Sequence, residues 1–376
     1  MTPSEILQWP KLHEALRAVL RELIIHGAQS RVDIARKLDM SRANLSRLGR
    51  ELVDLGLVSE GPPLYSQARG RPAELLHLQP GAAYFVGVKL TGDDLYAVVT
   101  DLSANVVDEF AEPLVSREPA QVADQIAAAA QRLFAGRTLP AAVGVCLAGN
   151  VLERDGVRIV EQSRFLGWDT VALAGLLEDR MPQPVTIAND VVALTAAHHW
   201  FGAGVGHASL IVYGLGAGIG SGVVAFDEVL TGAHGRAGHV GHARLDASGR
   251  RCELGHTDCV HSFVTMGSIA HNAGQDYAPA LAAARAGEPV ALRAFELAAR
   301  ALGVVIAEAV NSVDPEKVLV TGEGVDMMEL APAALQAGLA DYLEQIDPAL
   351  VVIERPEFSF AHYARGAAIS AMRDLI

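Results

Sequence analysis

A chain of 376 residues is long enough for two or three domains and a large buried core. It carries 30 Lys+Arg against 44 Asp+Glu, a formal net charge of −14, which excludes a protein that coats nucleic acid over its whole surface. No run approaches the ~20 apolar residues of a membrane span, residues 1–10 lack the apolar core of a secretion signal, and three cysteines (Cys146, Cys252, Cys259) fit a reducing compartment. The expected localisation is cytoplasmic.

The charge is divided unevenly. Residues 1–80 hold 11 basic and 9 acidic side chains, and Arg31–Arg50 alone holds six basic and two acidic ones. Any contact with a polyanion should therefore be confined to this N-terminal part. In chain order, Lys11–His26 reads as a helix with Leu12, Leu16, Val19, Leu20 and Leu23 on one face. Ser30 is a good N-cap for a second helix, with Asp33 three residues on and Ile34, Ala35 and Leu38 as its apolar face. Asp39-Met40 makes a turn and Ser41 caps a third helix, in which Leu45, Leu48, Leu52 and Leu55 form one stripe. Its opposite face carries Arg42, Asn44, Ser46, Arg47 and Arg50, the chemistry of phosphates and base edges. Residues 57–60 and 73–78 could pair as the strands of a wing, with Gln67-Ala68-Arg69-Gly70-Arg71-Pro72 as a basic tip or a plain linker. The reading is a winged helix-turn-helix that binds double-stranded DNA. Arg42, Asn44 and Arg47 are the expected base readers and Arg31, Arg50, Arg69 and Arg71 the phosphate or minor-groove contacts, with Ser41 at the helix start. The bland alternative is a helical hairpin with a solvated basic face.

Beyond Pro80-Gly81, Tyr84–Leu90, Leu95–Asp101 and Val106–Ala111 read as a strand meander. A helix from Pro119, a strand at Ala141–Leu147, a helix over Asp169–Asp179, a strand at Val185–Ala188 and a helix over Asn189–Phe201 follow. Strands at Ser209–Tyr213 and Ile219–Ala225 repeat the pattern. Helices at Pro289–Ser312, Met327–Gln345 and His362–Leu375 then enclose strands at Lys317–Thr321 and Leu350–Ile353. A meander followed by alternating helix and strand, made twice, predicts an α/β body of two lobes.

Gly235-Arg236-Ala237-Gly238-His239-Val240-Gly241-His242, followed by Cys252 and Cys259, resembles the signature of the ROK family (repressors, open reading frames and sugar kinases). The usual form there is Gly-x-Ala-Gly-Glu-x-Gly-His, then Cys-x-Cys-Gly-x-x-Gly-Cys-x-Glu. Asn189-Asp190, Gly216-Ala217-Gly218-Ile219-Gly220, Asp314-Pro315 and Thr321-Gly322-Glu323-Gly324 match family landmarks in order and spacing. The resemblance covers residues 84–376 and implies an actin-like or hexokinase-like ATPase-type fold with an interlobe cleft. With the N-terminal reading and the Pro80-Gly81 boundary, three parts are expected: residues 1–80 as the DNA-binding domain, 81–198 as the first lobe with 361–376 packing back on it, and 199–360 as the second lobe with a zinc loop.

The sequence departs from the kinase branch where phosphate chemistry is done. Lys89 stands where an acid would help hold magnesium and ATP, Thr91-Gly92 replaces a Gly-Gly pair, and Ala217 replaces a threonine hydroxyl. Asp190, the general base of the kinases, is retained as a group that can accept a hydrogen bond from a sugar hydroxyl. No catalytic residue and no ATP are expected. Family sugar contacts map onto Asn189, Asp190, His239, His242 and His261, with histidine where glutamate is usual at 239 and 261, and His198 where a glutamate often follows Asn-Asp. Clustered histidines point to an anionic sugar or a drifted site. The family's structural zinc maps onto His242, Cys252 and Cys259, while the remaining cysteine is Leu254 and His256 lies two residues on, so a His2Cys2 zinc set is expected.

The resulting expectation is a sugar-gated transcriptional regulator, a repressor, binding a palindromic operator as a homodimer or tetramer. Cleft closure would respace its DNA heads. Two rivals are an active ROK sugar kinase with an appended DNA-binding domain and an effector-independent repressor controlled by a protein partner.

Overall fold

The computed structural model describes residues 9–61, 74–137, 140–245 and 248–376. The N-terminal head comprises α1 (Glu14–His26), β1 (Gln29–Ser30), α2 (Arg31–Lys37), α3 (Arg42–Asp54), β2 (Val58–Glu60) and β3 (Leu75–Leu78). The strands form a small antiparallel sheet in the order β1-β3-β2. Both helix starts are fixed by serines. The Ser30 hydroxyl accepts the Asp33 N–H at 3.1 Å and donates to its carboxylate at 2.6 Å, and the Ser41 hydroxyl accepts the Asn44 N–H at 3.2 Å. Leu16, Val19, Leu20, Leu23, Ile34, Leu45, Leu48 and Leu52 close the three-helix core. Leu55 does not extend the stripe: it caps α3 and is 41% exposed. The first helix starts at Glu14, not Lys11. The predicted wing tip, with Arg69 and Arg71, lies outside the described residues.

The chain divides into two compact units, Met1–Phe201 with Phe360–Ile376, and Gly202–Ser359. In the first unit the head is followed by β4 (Tyr84–Leu90), β5 (Asp94–Asp101), β6 (Val106–Pro113), α4 (Pro119–Phe134), β7 (Pro140–Leu147), β8 (Asn150–Arg154), β9 (Val157–Ser163), β10 (Trp168–Val171), α5 (Leu173–Glu178), β11 (Val185–Asn189) and α6 (Asp190–Phe201). The main sheet runs β11-β7-β4-β5-β6, antiparallel through the meander and parallel from β4 to β7 to β11. A second antiparallel sheet, β10-β9-β8, corrects the expected helix over Asp169–Asp179. Trp168 is buried, its indole N–H donates to the Arg117 carbonyl at 2.6 Å, and Asp169 pairs with Gln162, so the helix starts only at Leu173.

The second unit contains β12 (Leu210–Leu215), β13 (Ile219–Ala225), β14 (Glu228–Val229), α7 (His261–Val264), α8 (Met266–Ala273), α9 (Tyr277–Arg285), α10 (Pro289–Val313), β15 (Lys317–Thr321), α11 (Met327–Leu330), α12 (Pro332–Tyr342) and β16 (Ile353–Glu354). Its sheet, β14-β13-β12-β15-β16, repeats the strand order and strand senses of the first main sheet. The helix expected over Met327–Gln345 is broken at Ala331, because Pro332 lacks the N–H an interior position needs and opens a new helix instead. Strand β16 is confined to Ile353–Glu354, with Pro348–Leu350 forming a 3-10 turn.

The chain ends in α13 (Phe360–Leu375), which returns to the first unit. Gly87 on β4 and Gly144 on β7 admit it. A Cβ at Gly87 would lie 1.9 Å from the Ala364 carbonyl oxygen, and one at Gly144 would lie 1.8 Å from that of Ala367. On the other flank of α13, a Cβ at Gly366 would meet the Ala193 carbonyl oxygen of α6 at 2.6 Å. Ala368, Ala371, Met372 and Trp200 share one core with the leucines of α1 and α3, so the head, α6 and α13 are packed as a single body.

Candidate functional site

Helix α3 presents Arg42, Arg47 and Arg50 exposed, with Asn44 half-buried beside them. Arg47 reaches Asn44 Oδ1 at 3.1 Å and Glu51 at 3.3 Å, contacts between solvated groups that another partner can displace at small cost. Ser41 is spent on capping α3. Arg31 is turned away from this face: it forms an ion pair with Glu60 of β2 and lies 3.9 Å from Glu74, bracing the base of the wing.

In the first unit, Asn189 ends β11 and Asp190 starts α6. Asn189 Oδ1 accepts the backbone N–H groups of Val191 and Val192 at 2.9 and 3.3 Å, and its amide donates to the Gly149 carbonyl at 3.0 Å. It therefore serves first as the cap that aims its neighbour. Asp190 accepts the Val191 N–H at 2.9 Å on Oδ1 and pairs with the ammonium of Lys89 on Oδ2. Both side chains are nearly enclosed, at 5% and 13% exposure. Beneath them lies Cys146, whose thiol is pushed up to about 12 by burial, with Lys89 acting in the lowering direction and Asp190 in the raising one. It stays protonated and donates to the Tyr363 carbonyl at 3.3 Å.

In the second unit, the turn at Gly216-Ala217-Gly218 joins β12 to β13, and Gly322-Glu323-Gly324 follows β15. The turns touch: the Gly324 N–H donates to the Leu215 carbonyl at 3.0 Å. Glu323, part of a matched motif but given no role by it, places its carboxylate so close that a Cβ on Gly216 would meet Oε1 at 2.6 Å. A glycine turn that would cradle phosphate through backbone N–H groups instead has a carboxylate against it.

The loop after β14 carries the remaining candidates. His242, Cys252 and His256 converge with their ligand atoms within 4.8 Å of one another. The two imidazole Nδ1 atoms face each other at 3.1 Å, and Cys252 Sγ lies 3.7 Å from that of His256 and 4.0 Å from that of His242. Cys259 Sγ adjoins His242 Nδ1 at 3.6 Å, and burial raises its thiol. Around one tetrahedral zinc, with bonds of roughly 2.0–2.3 Å, neighbouring ligand atoms lie about 3.3–3.8 Å apart; the atoms of His242, Cys252 and His256, 3.1 to 4.0 Å apart, bracket that spacing, and Cys259 lies beside this group of three rather than within it. Leu254 is 42% exposed and takes no part. Asp258 anchors the loop: burial would raise its carboxyl, but N–H groups of Gly249 and Arg250, the Ser248 hydroxyl and the Arg244 charge together hold it below the ordinary range. His261, buried at the start of α7, stacks on His242 with ring centroids 5.4 Å apart. His239 is kept below the usual imidazole range by burial and by Arg236.

Comparison with known proteins gives these features a family. The ROK family model matches residues 85–373. The chain belongs to the ROK family. The DNA-binding transcriptional dual regulator NagC of Escherichia coli is 26% identical over 333 residues, which cover 81% of this chain and 79% of that protein. The crystal structure of a ROK family transcriptional regulator, a homolog of the E. coli MLC protein, superposes with a TM-score of 0.81 at 23% identity, covering 94% of both chains. A ROK hexokinase from Thermus thermophilus gives 0.68 at 26% identity, covering 78% of this chain and 99% of that one. The α/β body thus has the sugar-kinase fold that the family resemblance implies. Among the described residues no helix is long and apolar enough to cross a membrane.

Proposed function

We propose that this ROK protein is a DNA-binding transcriptional regulator of sugar-related genes, acting as a repressor whose operator affinity is set by a carbohydrate or sugar-derived effector. The observation that carries this reading is the exposed Arg42–Asn44–Arg47–Arg50 face of α3 on a head that shares one core with the sugar-kinase body. Helix α6 supports it further, since it starts at Asp190 and its last turn places Trp200 in the core shared with the head. A change at Asp190 therefore has a packed route to the DNA-reading helices. The proposed effector contacts are Asn189, Asp190, His239, His242 and His261, and the operator is bound by a homo-oligomer. Burial and Arg236 disfavour the charged form of His239, which weakens one reason to expect an anionic effector. Replacing Arg47 with alanine should cost about 1–3 kcal/mol of operator binding and relax preference at one base pair. Competition binding against single-base operator variants measures this, and equal weakening on every sequence would make Arg47 a phosphate contact.

Phosphoryl transfer is not part of the proposed function. Lys89 occupies the position of the metal-binding acid and pairs with Asp190, while the Glu323 carboxylate faces the glycine turn. A tied general base and a repelled triphosphate both oppose turnover. Incubation with MgATP and glucose or N-acetylglucosamine should yield no sugar phosphate above the enzyme-free blank; turnover would reinstate the kinase reading.

We further propose that His242, Cys252, His256 and Cys259 hold one structural zinc, with His256 supplying the ligand that Leu254 cannot. Bound there, the ion would brace the loop on which His261 stacks against His242.

A further inference from the structure

Lys89, next to last in β4, has its side chain almost wholly enclosed, a costly place for an ammonium unless its donors are used. One donor goes to Asp190 Oδ2, and the charge also sits over the face of Tyr363, 4.8 Å from the ring centroid. An ammonium has three donors, and a carboxylate has about four acceptor sites. Asp190 uses one site for Lys89 and one for the Val191 N–H. The pair is thus desolvated and incompletely satisfied, with a donor and an acceptor side by side about one hydrogen-bond length apart.

We propose that Lys89 is a specificity-determining residue of the effector site, reading two adjacent hydroxyl groups jointly with Asp190. One hydroxyl donates to the carboxylate, and its neighbour accepts from the ammonium. Hydroxyls on adjacent carbons of a pyranose supply oxygens at that spacing, whereas a lone hydroxyl or a deoxy position satisfies only half of the pair. The lysine that replaces the kinase acid therefore does more than remove metal binding: it adds the second half of a vicinal-diol reader. This inference rests on the proposal that Asp190 contacts the effector.

Calorimetric titration of the full chain with glucose and with N-acetylglucosamine tests it. The wild-type protein should bind at least one of them. Lys89→Met, which keeps length and burial but removes the donors, should weaken that binding by more than about tenfold. Circular dichroism and the melting temperature report whether the variant is folded. Unchanged sugar affinity in a folded Lys89→Met protein overturns the role of Lys89 and leaves the effector reading standing. Should the unpaired Asp190 prevent folding, Asp190→Asn is compared with Lys89→Met/Asp190→Asn, in which no charge is left unpaired. The single variant should bind the sugar about tenfold more tightly than the double one, and equal affinities overturn the proposal. Failure of the wild-type protein to bind either sugar overturns the effector reading and this inference with it.

Discussion

Replacing Gly144 with valine is expected to destabilise the protein by more than about 4 kcal/mol, which denaturant midpoints or loss of soluble protein would register. A Cβ at this position would lie 1.8 Å from the Ala367 carbonyl oxygen and 2.4 Å from its carbon. The obstacle is backbone on both sides, a central strand and a buried helix, so no side-chain rotation relieves it. The helix cannot retreat cheaply, because a Cβ at Gly366 would meet the Ala193 carbonyl oxygen at 2.6 Å on its other flank. Alanine at 144 should already cost a large part of this. Since α13 also shares its core with the head, the loss should appear in operator binding as well as in folding. A midpoint unchanged in Gly144→Ala would mean that α13 does not rest on the strand at this distance.

His256→Ala is expected to strip the metal from protein that otherwise purifies with about one zinc per chain. Structural zinc in small sites is worth roughly 10–16 kcal/mol, or about 3 kcal/mol for each of four ligands, so one lost ligand should cost on the order of a hundredfold in affinity. Cys252→Ser should do the same, because Cys252 Sγ lies within reach of both His256 and His242. Leu254→Ala should leave the stoichiometry unchanged, since that side chain points to solvent. Elemental analysis of protein purified without chelator makes the comparison. Zinc retained by His256→Ala would assign the fourth position elsewhere, and zinc absent from the wild-type protein would leave the cluster as a pair of thiols and a pair of imidazoles.

Elements with a strong local signal were legible in the sequence. Ser30 and Ser41 announce their helices because a hydroxyl can accept an N–H three residues on, and both do so. The leucines of α3 recur at helical spacing because one face is buried. The error at Leu55 came from extending that spacing past the last full turn, where capping takes over. The expected helix over Asp169–Asp179 failed because a buried indole and pairing with β9 outweighed local propensity at Trp168–Val171. Strands β8 and β9 were not foreseen, and neither were α7 to α9, whose short or alanine-rich stretches give weak periodicity. Within the candidate site, motif positions located Asn189, Asp190 and the histidine–cysteine loop. They could not show that Asn189 is occupied as a cap, that Lys89 closes on a residue 101 positions away, or that Glu323 faces Gly216. Those contacts are long-range, and only the folded chain brings them together.

The central claim is that sugar binding governs DNA binding. Its most direct measurement is binding of the full chain to a labelled fragment of the gene's own upstream region, with and without a panel of neutral and phosphorylated sugars. The proposed function predicts tight binding without sugar and release by at least one member of the panel. Tight binding indifferent to every sugar would contradict the gating, and absence of binding would contradict the assignment of α3 as a DNA-reading helix.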